Sequence, residues 1–164
     1  MLLPLLFAVF LHECGHILFL FLTGGKLGGV QISLLGITIN AKYPPSYVSR
    51  ILISLGGPLV GIVCFYLFRH TEGAYALFAE MSLALSLFNL LPISFLDGGC
   101  ALEAFFLLFL SYQSATALSR AISLITTVLL WSISVYLFLF LNGSASLFWL
   151  SLWFFFSLLF SKKT

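Results

Sequence analysis

Residues 1–22 read MLLPLLFAVFLHECGHILFLFL, an apolar run that is interrupted once, by His12-Glu13-Cys14-Gly15-His16. A helix needs about 20 apolar residues to cross the hydrocarbon core of a bilayer, so this run predicts a membrane-spanning helix. The run lacks the basic start and the small-residue cleavage site of a secretory signal peptide. We therefore expect it to stay in the mature protein as the first span.

The composition of the whole chain is that of an integral membrane protein. Of its 164 residues, 62% are hydrophobic and only 7% are charged. The formal net charge of +2 is too small to suggest a nucleic-acid partner. The length allows one compact bundle and leaves no room for an added soluble domain.

Hydrophobic stretches after the first span predict the rest of the fold. Gly98–Leu110 is apolar but short, which favours a partial or interfacial helix. The predicted fold class is an all-α integral membrane protein with about five to six transmembrane helices. The predicted spans beyond the first are residues 48–68, 74–95, 120–141 and 145–161.

The connection between the first two spans has a different pattern. Residues 28–40, GGVQISLLGITIN, are β-branched and alternating, with Leu35-Gly36 placed as a turn. This pattern predicts a small membrane-associated β-hairpin. Two interpretations stay open at this stage: an ordered loop on the membrane surface, or an exposed edge strand that pairs with an extended substrate.

The distribution of basic residues predicts the orientation. Cytoplasmic loops of membrane proteins carry an excess of Lys and Arg, so the more basic side should face the cytoplasm. The first and third spans then both run inward, which brings His12, His16 and Asp97 toward the cytoplasmic leaflet. With five spans, Arg69 lies on one side and the other six basic residues on the opposite side: Lys26, Lys42, Arg50, Arg120, Lys162 and Lys163.

The polar residues that interrupt the first span are the candidate metal ligands and catalytic residue. Residues four apart on a helix face the same way, so His12 and His16 can bind one cation. Glu13 follows His12 and can reach a metal-bound water; this is the His-Glu-x-x-His pattern of zinc proteases. The alternative is that the histidines bond to neighbouring helices while Glu13 pairs with a basic residue. No basic residue occurs in this span, so we favour one zinc ion per chain.

A catalytic zinc bound by two histidines needs a third protein ligand. Asp97 lies at the inner end of the third predicted span, whereas Glu72 and Glu80 lie toward the outer end and Glu103 lies beyond the turn. Pro92 and the glycines after Asp97 break the helix there, which can turn the carboxylate inward. Asp97 is therefore the predicted third ligand, and a role as the cap of the following helix stays open beside it.

The two motifs together resemble a known family. His12-Glu13-x-x-His16 followed by Asn89-x-x-Pro92-x-x-x-Leu96-Asp97-Gly98 is similar to the site-2 protease family of intramembrane metalloproteases, over roughly residues 1–120. The short chain, without PDZ or other appended domains, looks most like the branch that contains the sporulation protease for a pro-sigma factor. The resemblance implies a single intramembrane metalloprotease domain over residues 1–164, with a catalytic core at about 1–120, additional transmembrane helices at about 120–161, and no PDZ or CBS domain. The resemblance implies that His12, His16 and Asp97 bind zinc, that Glu13 is the catalytic acid and base, and that Asn89 lies near the reacting carbonyl.

The resemblance also implies an activity, a location and partners. The expected reaction is hydrolysis of a peptide bond in or near a transmembrane segment of a membrane-bound substrate. We expect a multi-pass protein of the bacterial cell membrane, with its active site toward the cytoplasm, that contacts lipid, its substrate and a regulatory membrane partner. Two rivals stay open: a metal or proton transporter that uses the same His, Glu and Asp cluster, and an inactive membrane chaperone. Intact Glu13 argues against the chaperone.

Overall fold

The computed structural model describes residues 2–33, 36–41, 46–140, 149, 152 and 153. Within them the chain forms five helices and two strands. Predicted span 145–161 therefore lies almost entirely outside the described residues. The elements in chain order are α1 Leu2–Leu22, β1 Leu27–Ser33, β2 Gly36–Ala41, α2 Tyr47–Phe68, α3 Ala74–Asn89, α4 Asp97–Phe106 and α5 Tyr112–Phe140.

Helices α1, α2 and α3 pack against one another, and α4 packs against α2. The crossing of α1 and α2 depends on glycine. A side-chain carbon added at Gly15 would lie 2.5 Å from the carbonyl oxygen of Gly56, and one added at Gly56 would lie 2.7 Å from the carbonyl oxygen of Gly15. The two backbones therefore touch at this point, as small residues allow in membrane helices. Near the other end of the bundle, Ala8, Cys64 and Phe78 form an apolar cluster between the three helices.

Helix α3 ends at Asn89, six positions before the predicted end of that span. Pro92 explains the early end, because proline has no backbone N–H and disfavours helical geometry in the residue before it. Residues 90–96 form an irregular linker, and α4 begins at Asp97. The predicted short helix after Asp97 is present as α4, although it begins one residue earlier and ends at Phe106.

Helix α5 begins at Tyr112, eight positions before the predicted start of that span. Ser111 caps it, since the Ser111 hydroxyl accepts a hydrogen bond from the Ser114 backbone N–H at 3.3 Å. The buried side of α5 consists of small and hydroxyl-bearing residues, while its large apolar side chains are exposed. This arrangement suits a helix surrounded by lipid. The buried residues are Ala115, Ser119, Ser123, Thr127 and Ser134.

The predicted fold class is wrong in its count of spans. In the described part of the chain three helices, α1, α2 and α5, are long and apolar enough to cross a membrane, whereas four spans were predicted there. Helix α3 has 16 residues, about 24 Å of helix against a hydrocarbon core of about 30 Å. Helix α4 has 10 residues and is shorter still. The helical membrane class itself agrees with the structure, and the chain is a membrane protein.

The backbone between α1 and α2 forms the two strands β1 and β2, which pair antiparallel. The register runs from Leu27 opposite Ala41 to Ser33 opposite Gly36, with an irregularity between Leu27 and Gly29. Gly36 begins the second strand, whereas the sequence pattern placed it in the turn. No further strand occurs in the described part of the chain.

The glycine contact between α1 and α2 gives a test of this packing. Gly15→Ala adds one carbon against the backbone of Gly56, and overpacking of this kind costs typically about 1–3 kcal/mol. We expect a lower midpoint of thermal unfolding in detergent. Val9→Ile also adds one carbon to α1, at a side chain that is 37% exposed, and should leave the midpoint unchanged. Equal midpoints for Gly15→Ala and the unmodified chain would contradict the tight crossing.

Candidate metal centre

His12 and His16 lie on the face of α1 that packs against α2. The His12 side chain is 5% exposed and that of His16 is 12% exposed. Their Nε2 atoms lie 3.2 Å apart, and the two rings meet edge to face. The predicted spacing of four residues therefore places both imidazoles together, with the same ring atom of each directed to one point.

Asp97 completes a triangle with the two histidines, although it is 85 positions from His12 in the chain. Its Oδ2 atom lies 3.0 Å from Nε2 of His12 and 3.3 Å from Nε2 of His16. The Asp97 side chain is 21% exposed, so the triangle is accessible from the Asp97 side. Within the described residues these three side chains form the single group of His, Cys, Asp or Glu suited to a metal ion.

A hydrogen bond of His16 Nδ1 determines which nitrogen of the His16 ring carries the proton. His16 Nδ1 lies 2.7 Å from the backbone carbonyl oxygen of Ile53 on α2. A carbonyl only accepts hydrogen bonds, so Nδ1 carries the proton and donates it. In the neutral ring Nε2 then presents its lone pair to the triangle, as a metal-binding histidine requires. For His12, Nδ1 is buried and has no hydrogen-bond partner among the described residues.

The start of α4 brings Asp97 to the histidines. Asp97 is the first residue of α4, and the cap position is Leu96, where no side chain bonds to the helix. The Asp97 side chain therefore does not cap α4, because its carboxylate contacts His12 and His16 instead. A carboxylate in the first turn still interacts favourably with the helix dipole.

Gly98 and Gly99 permit close contact between α4 and the linker before it. A side-chain carbon at Gly98 would overlap the carbonyl of Leu90, and one at Gly99 would overlap the carbonyl of Ile93. Neither glycine has a positive φ, since Gly24 and Gly73 are the glycines of the described chain that do. The sequence suggested that these glycines give the backbone conformational freedom. In the structure they allow close packing instead.

Gly57 of α2 forms a wall of the metal centre, a role that the sequence patterns did not reveal. A side-chain carbon at Gly57 would lie 2.7 Å from Nε2 of His12 and would overlap Nε2 of His16. The absence of a side chain therefore keeps open the space beside both nitrogen atoms. The glycine pair in Gly56-Gly57-Pro58 could have indicated open space beside the ligands, but a glycine pair in a membrane helix indicates close helix packing equally well.

Of the two remaining predicted site residues, Glu13 lies near the three potential ligands, whereas Asn89 has no described contact with the histidines. Glu13 is half-buried and interacts electrostatically with His12, His16 and Asp97 without joining the group of potential ligands. A proton carrier must lie near the metal without binding it, and Glu13 meets this condition among the described residues. Asn89 is the last residue of α3, and its Nδ2 donates to the Leu85 carbonyl of the same helix at 3.1 Å. No described contact joins Asn89 to the histidines.

The three ligand atoms fit a zinc ion. Donor atoms on a zinc tetrahedron with bonds of about 2.0–2.1 Å lie about 3.3–3.4 Å apart. The triangle has sides of 3.0, 3.2 and 3.3 Å, at or slightly below that separation. Three lone-pair donors directed at one point repel one another unless a cation or protons lie between them. Two imidazoles and a carboxylate also form a donor set that catalytic zinc sites use, with a fourth position left open.

Comparison with solved structures shows that the fold is that of a known protease. The chain is similar to the Site-2 Protease from Methanocaldococcus jannaschii, with a TM-score of 0.68 over 99% of this chain and 77% of that chain, at 22% sequence identity. No protein-family model and no curated protein matches the chain. At this identity the likeness shows a shared fold, and the chemistry depends on the residues of the site.

The wall formed by Gly57 gives a test of the metal centre. Gly57→Ala places a carbon against both Nε2 atoms, so we expect zinc affinity to fall by at least about tenfold, the lower range seen when the surroundings of metal ligands are changed. Gly61→Ala is the matched control on the next turn of α2, since its added carbon meets Ser82 and Ser86 of α3 instead. Competition with a chromophoric chelator measures both affinities. Equal losses in the two variants would contradict the placement of Gly57.

Proposed function

We propose that this chain is a zinc-dependent intramembrane protease of the site-2 protease family. The observation that carries the proposal is the largely buried triangle of His12, His16 and Asp97, with Glu13 beside it and not part of it. The shared fold supports the proposal. The proposed catalytic unit spans residues 1–164, with its core in about the first 120.

Each residue of the centre has a distinct task in this proposal. His12 and His16 would bind the zinc through Nε2, and Asp97 through Oδ2. Zinc in such a site lowers the pKa of a bound water to about 7 and polarises a carbonyl. The Ile53 carbonyl holds the His16 ring in the orientation and protonation that leave Nε2 available.

Glu13 is the proposed proton carrier. Its carboxylate accepts a proton from the attacking water and then delivers that proton to the amide nitrogen that leaves, so that one peptide bond is exchanged for a carboxylate and an amine. The position of Glu13 on α1, next to His12, keeps it close to the reacting water. Its half-buried setting shields this transfer from bulk solvent.

The substrate that suits this site is a transmembrane segment of another protein. Helices α1 and α2, which carry the two histidines and Gly57, are long and apolar enough to span a bilayer, so the triangle lies within membrane-spanning structure. A helical substrate has its carbonyls hydrogen-bonded and must unwind locally before attack. We place the centre toward the cytoplasm, since Lys26 and Arg50 flank the inner ends of α1 and α2. Bacterial origin and the sporulation branch stay predictions.

A metal or proton transporter is the alternative from another class. Transport requires a sequence of binding groups along a route through the membrane. In residues 2–140, as far as they are described, one group of potential ligands occurs. The alternative is therefore less well supported than the protease, and the same experiment distinguishes the two.

Replacement of Glu13 tests the proposed reaction. Glu13→Gln keeps the size of the side chain but cannot accept the proton, so we expect zinc content to stay near one per chain while cleavage falls by about 10²-fold or more, the lower range for a lost acid–base group. Glu103→Gln in α4 makes the same chemical change outside the group of potential ligands and should leave both quantities unchanged. The assay follows cleavage of a panel of transmembrane substrates in proteoliposomes.

Three results would contradict the proposal. Cleavage by Glu13→Gln at the rate of the unmodified chain would exclude Glu13 as the proton carrier. Zinc flux across the vesicles, with no cleavage by either form, would favour the transporter. Loss of zinc from Glu13→Gln would make Glu13 a ligand and not a proton carrier.

Asn89 is the proposed hydrogen-bond donor to the reacting carbonyl, and this proposal requires its amide to turn away from the Leu85 carbonyl. Asn89→Ala should then lower kcat by about 10²-fold, the usual cost of one oxyanion donor, and leave zinc affinity unchanged. Ser86→Ala, one turn earlier on α3, removes a buried hydroxyl that bonds within the same helix and serves as the control. An unchanged kcat in Asn89→Ala would contradict this donor role and leave Asn89 only its hydrogen bond to the Leu85 carbonyl.

A further inference from the structure

The linker of residues 90–96 determines where Asp97 lies, because it connects the end of α3 to the first residue of α4. Its backbone is held in part by its own bonds: Ile93 N–H donates to the Leu91 carbonyl, and Leu96 N–H donates to the Ile93 carbonyl, both at 2.8 Å. Gly99 of α4 lies directly against the Ile93 carbonyl. A shift of this linker would therefore move the start of α4 and the Asp97 carboxylate with it.

One hydrogen bond connects this linker to α5. The backbone N–H of Ser94 donates to the hydroxyl oxygen of Ser123 at 2.9 Å. Ser123 is fully buried, so water does not replace the bond readily if the hydroxyl is removed. On the α4 side, the Cys100 thiol lies 3.8 Å from the Ser94 carbonyl. Ser94, three residues before Asp97, is thus contacted from both α4 and α5.

Ser123 differs from the other buried hydroxyl residues of α5. The Thr127 hydroxyl donates to the Ser123 carbonyl of its own helix. The hydroxyls of Ser119 and Ser134 are buried and have no hydrogen-bond partner among the described residues. In the described part of the chain, Ser123 is therefore the buried hydroxyl residue of α5 whose side chain bonds to the linker. Ser119 lies one turn away on the same side of α5 and makes no such bond.

We infer that Ser123 is a positioning residue for the third metal ligand. Its hydroxyl fixes the Ser94 N–H, and through the linker it sets the distance of 3.0 Å between Asp97 Oδ2 and His12 Nε2. Groups that orient metal ligands from outside the ligand set commonly change metal affinity when they are removed. Helix α5 therefore contributes to the metal centre without supplying a ligand. The inference rests on the proposed function, since it concerns zinc binding by the same three residues.

The test compares Ser123→Ala with Ser119→Ala in the full chain, purified in detergent without a polyhistidine tag. Both variants remove one buried hydroxyl from the same side of α5, but only the first breaks the bond to Ser94. Two quantities are measured: zinc affinity by chelator competition, and hydrogen exchange of the peptide that covers residues 90–96. We expect Ser123→Ala to bind zinc about tenfold more weakly and to exchange faster in that peptide, while Ser119→Ala matches the unmodified chain in both.

The outcomes separate this inference from the proposed function. Unchanged zinc affinity in Ser123→Ala, with the unmodified chain binding zinc, would overturn the positioning role alone. Equal losses of affinity in both serine variants would also overturn it, because they would reflect general loosening of α5. If the unmodified chain bound no zinc, the proposed function and the inference would both be overturned.

Discussion

Two imidazole nitrogens and one carboxylate oxygen lie within 3.3 Å of one another inside the helix bundle. Polar groups in such surroundings are costly unless they are paired, and lone pairs that face each other repel. The rest of the described structure is organised to hold these atoms together. Helix α1 supplies both histidines, the Ile53 carbonyl of α2 fixes the proton on His16, and the linker after α3 delivers Asp97.

Close backbone contact is the means by which the helices reach this geometry. Gly15 and Gly56 let α1 and α2 touch, and Gly57, the next residue of α2, leaves space beside the two Nε2 atoms. Gly98 and Gly99 do the same for α4 against the linker. In lipid there is little hydrophobic gain from joining two helices, so packing of this kind and hydrogen bonds must stabilise the bundle. The fold and the candidate metal centre consequently depend on the same glycine contacts.

Sequence patterns predicted those parts of the protein that depend on local chemistry. The spacing of His12 and His16 was sufficient to place them on one helix face, and Pro92 with Gly98 pointed to Asp97 as the third member of the group. The lengths of α3 and α5 were not predicted well, because hydropathy continues past the break at Pro92 and cannot detect the cap at Ser111. The roles of Gly57 and Ser123 depend on contacts between distant elements. A glycine pair in a membrane helix indicates close packing in general, but neither it nor a serine shows which distant element is contacted.

His12, His16 and Asp97 together form the proposed zinc site. Zinc X-ray absorption spectroscopy of the untagged protein in detergent tests it most directly, together with the metal content of the same sample. We expect one zinc per chain, bound only by nitrogen and oxygen at about 2.0–2.1 Å, with the multiple-scattering signal of two imidazoles. A sulfur contribution at about 2.3 Å would place zinc on a cysteine instead, and absence of bound zinc would contradict the site altogether.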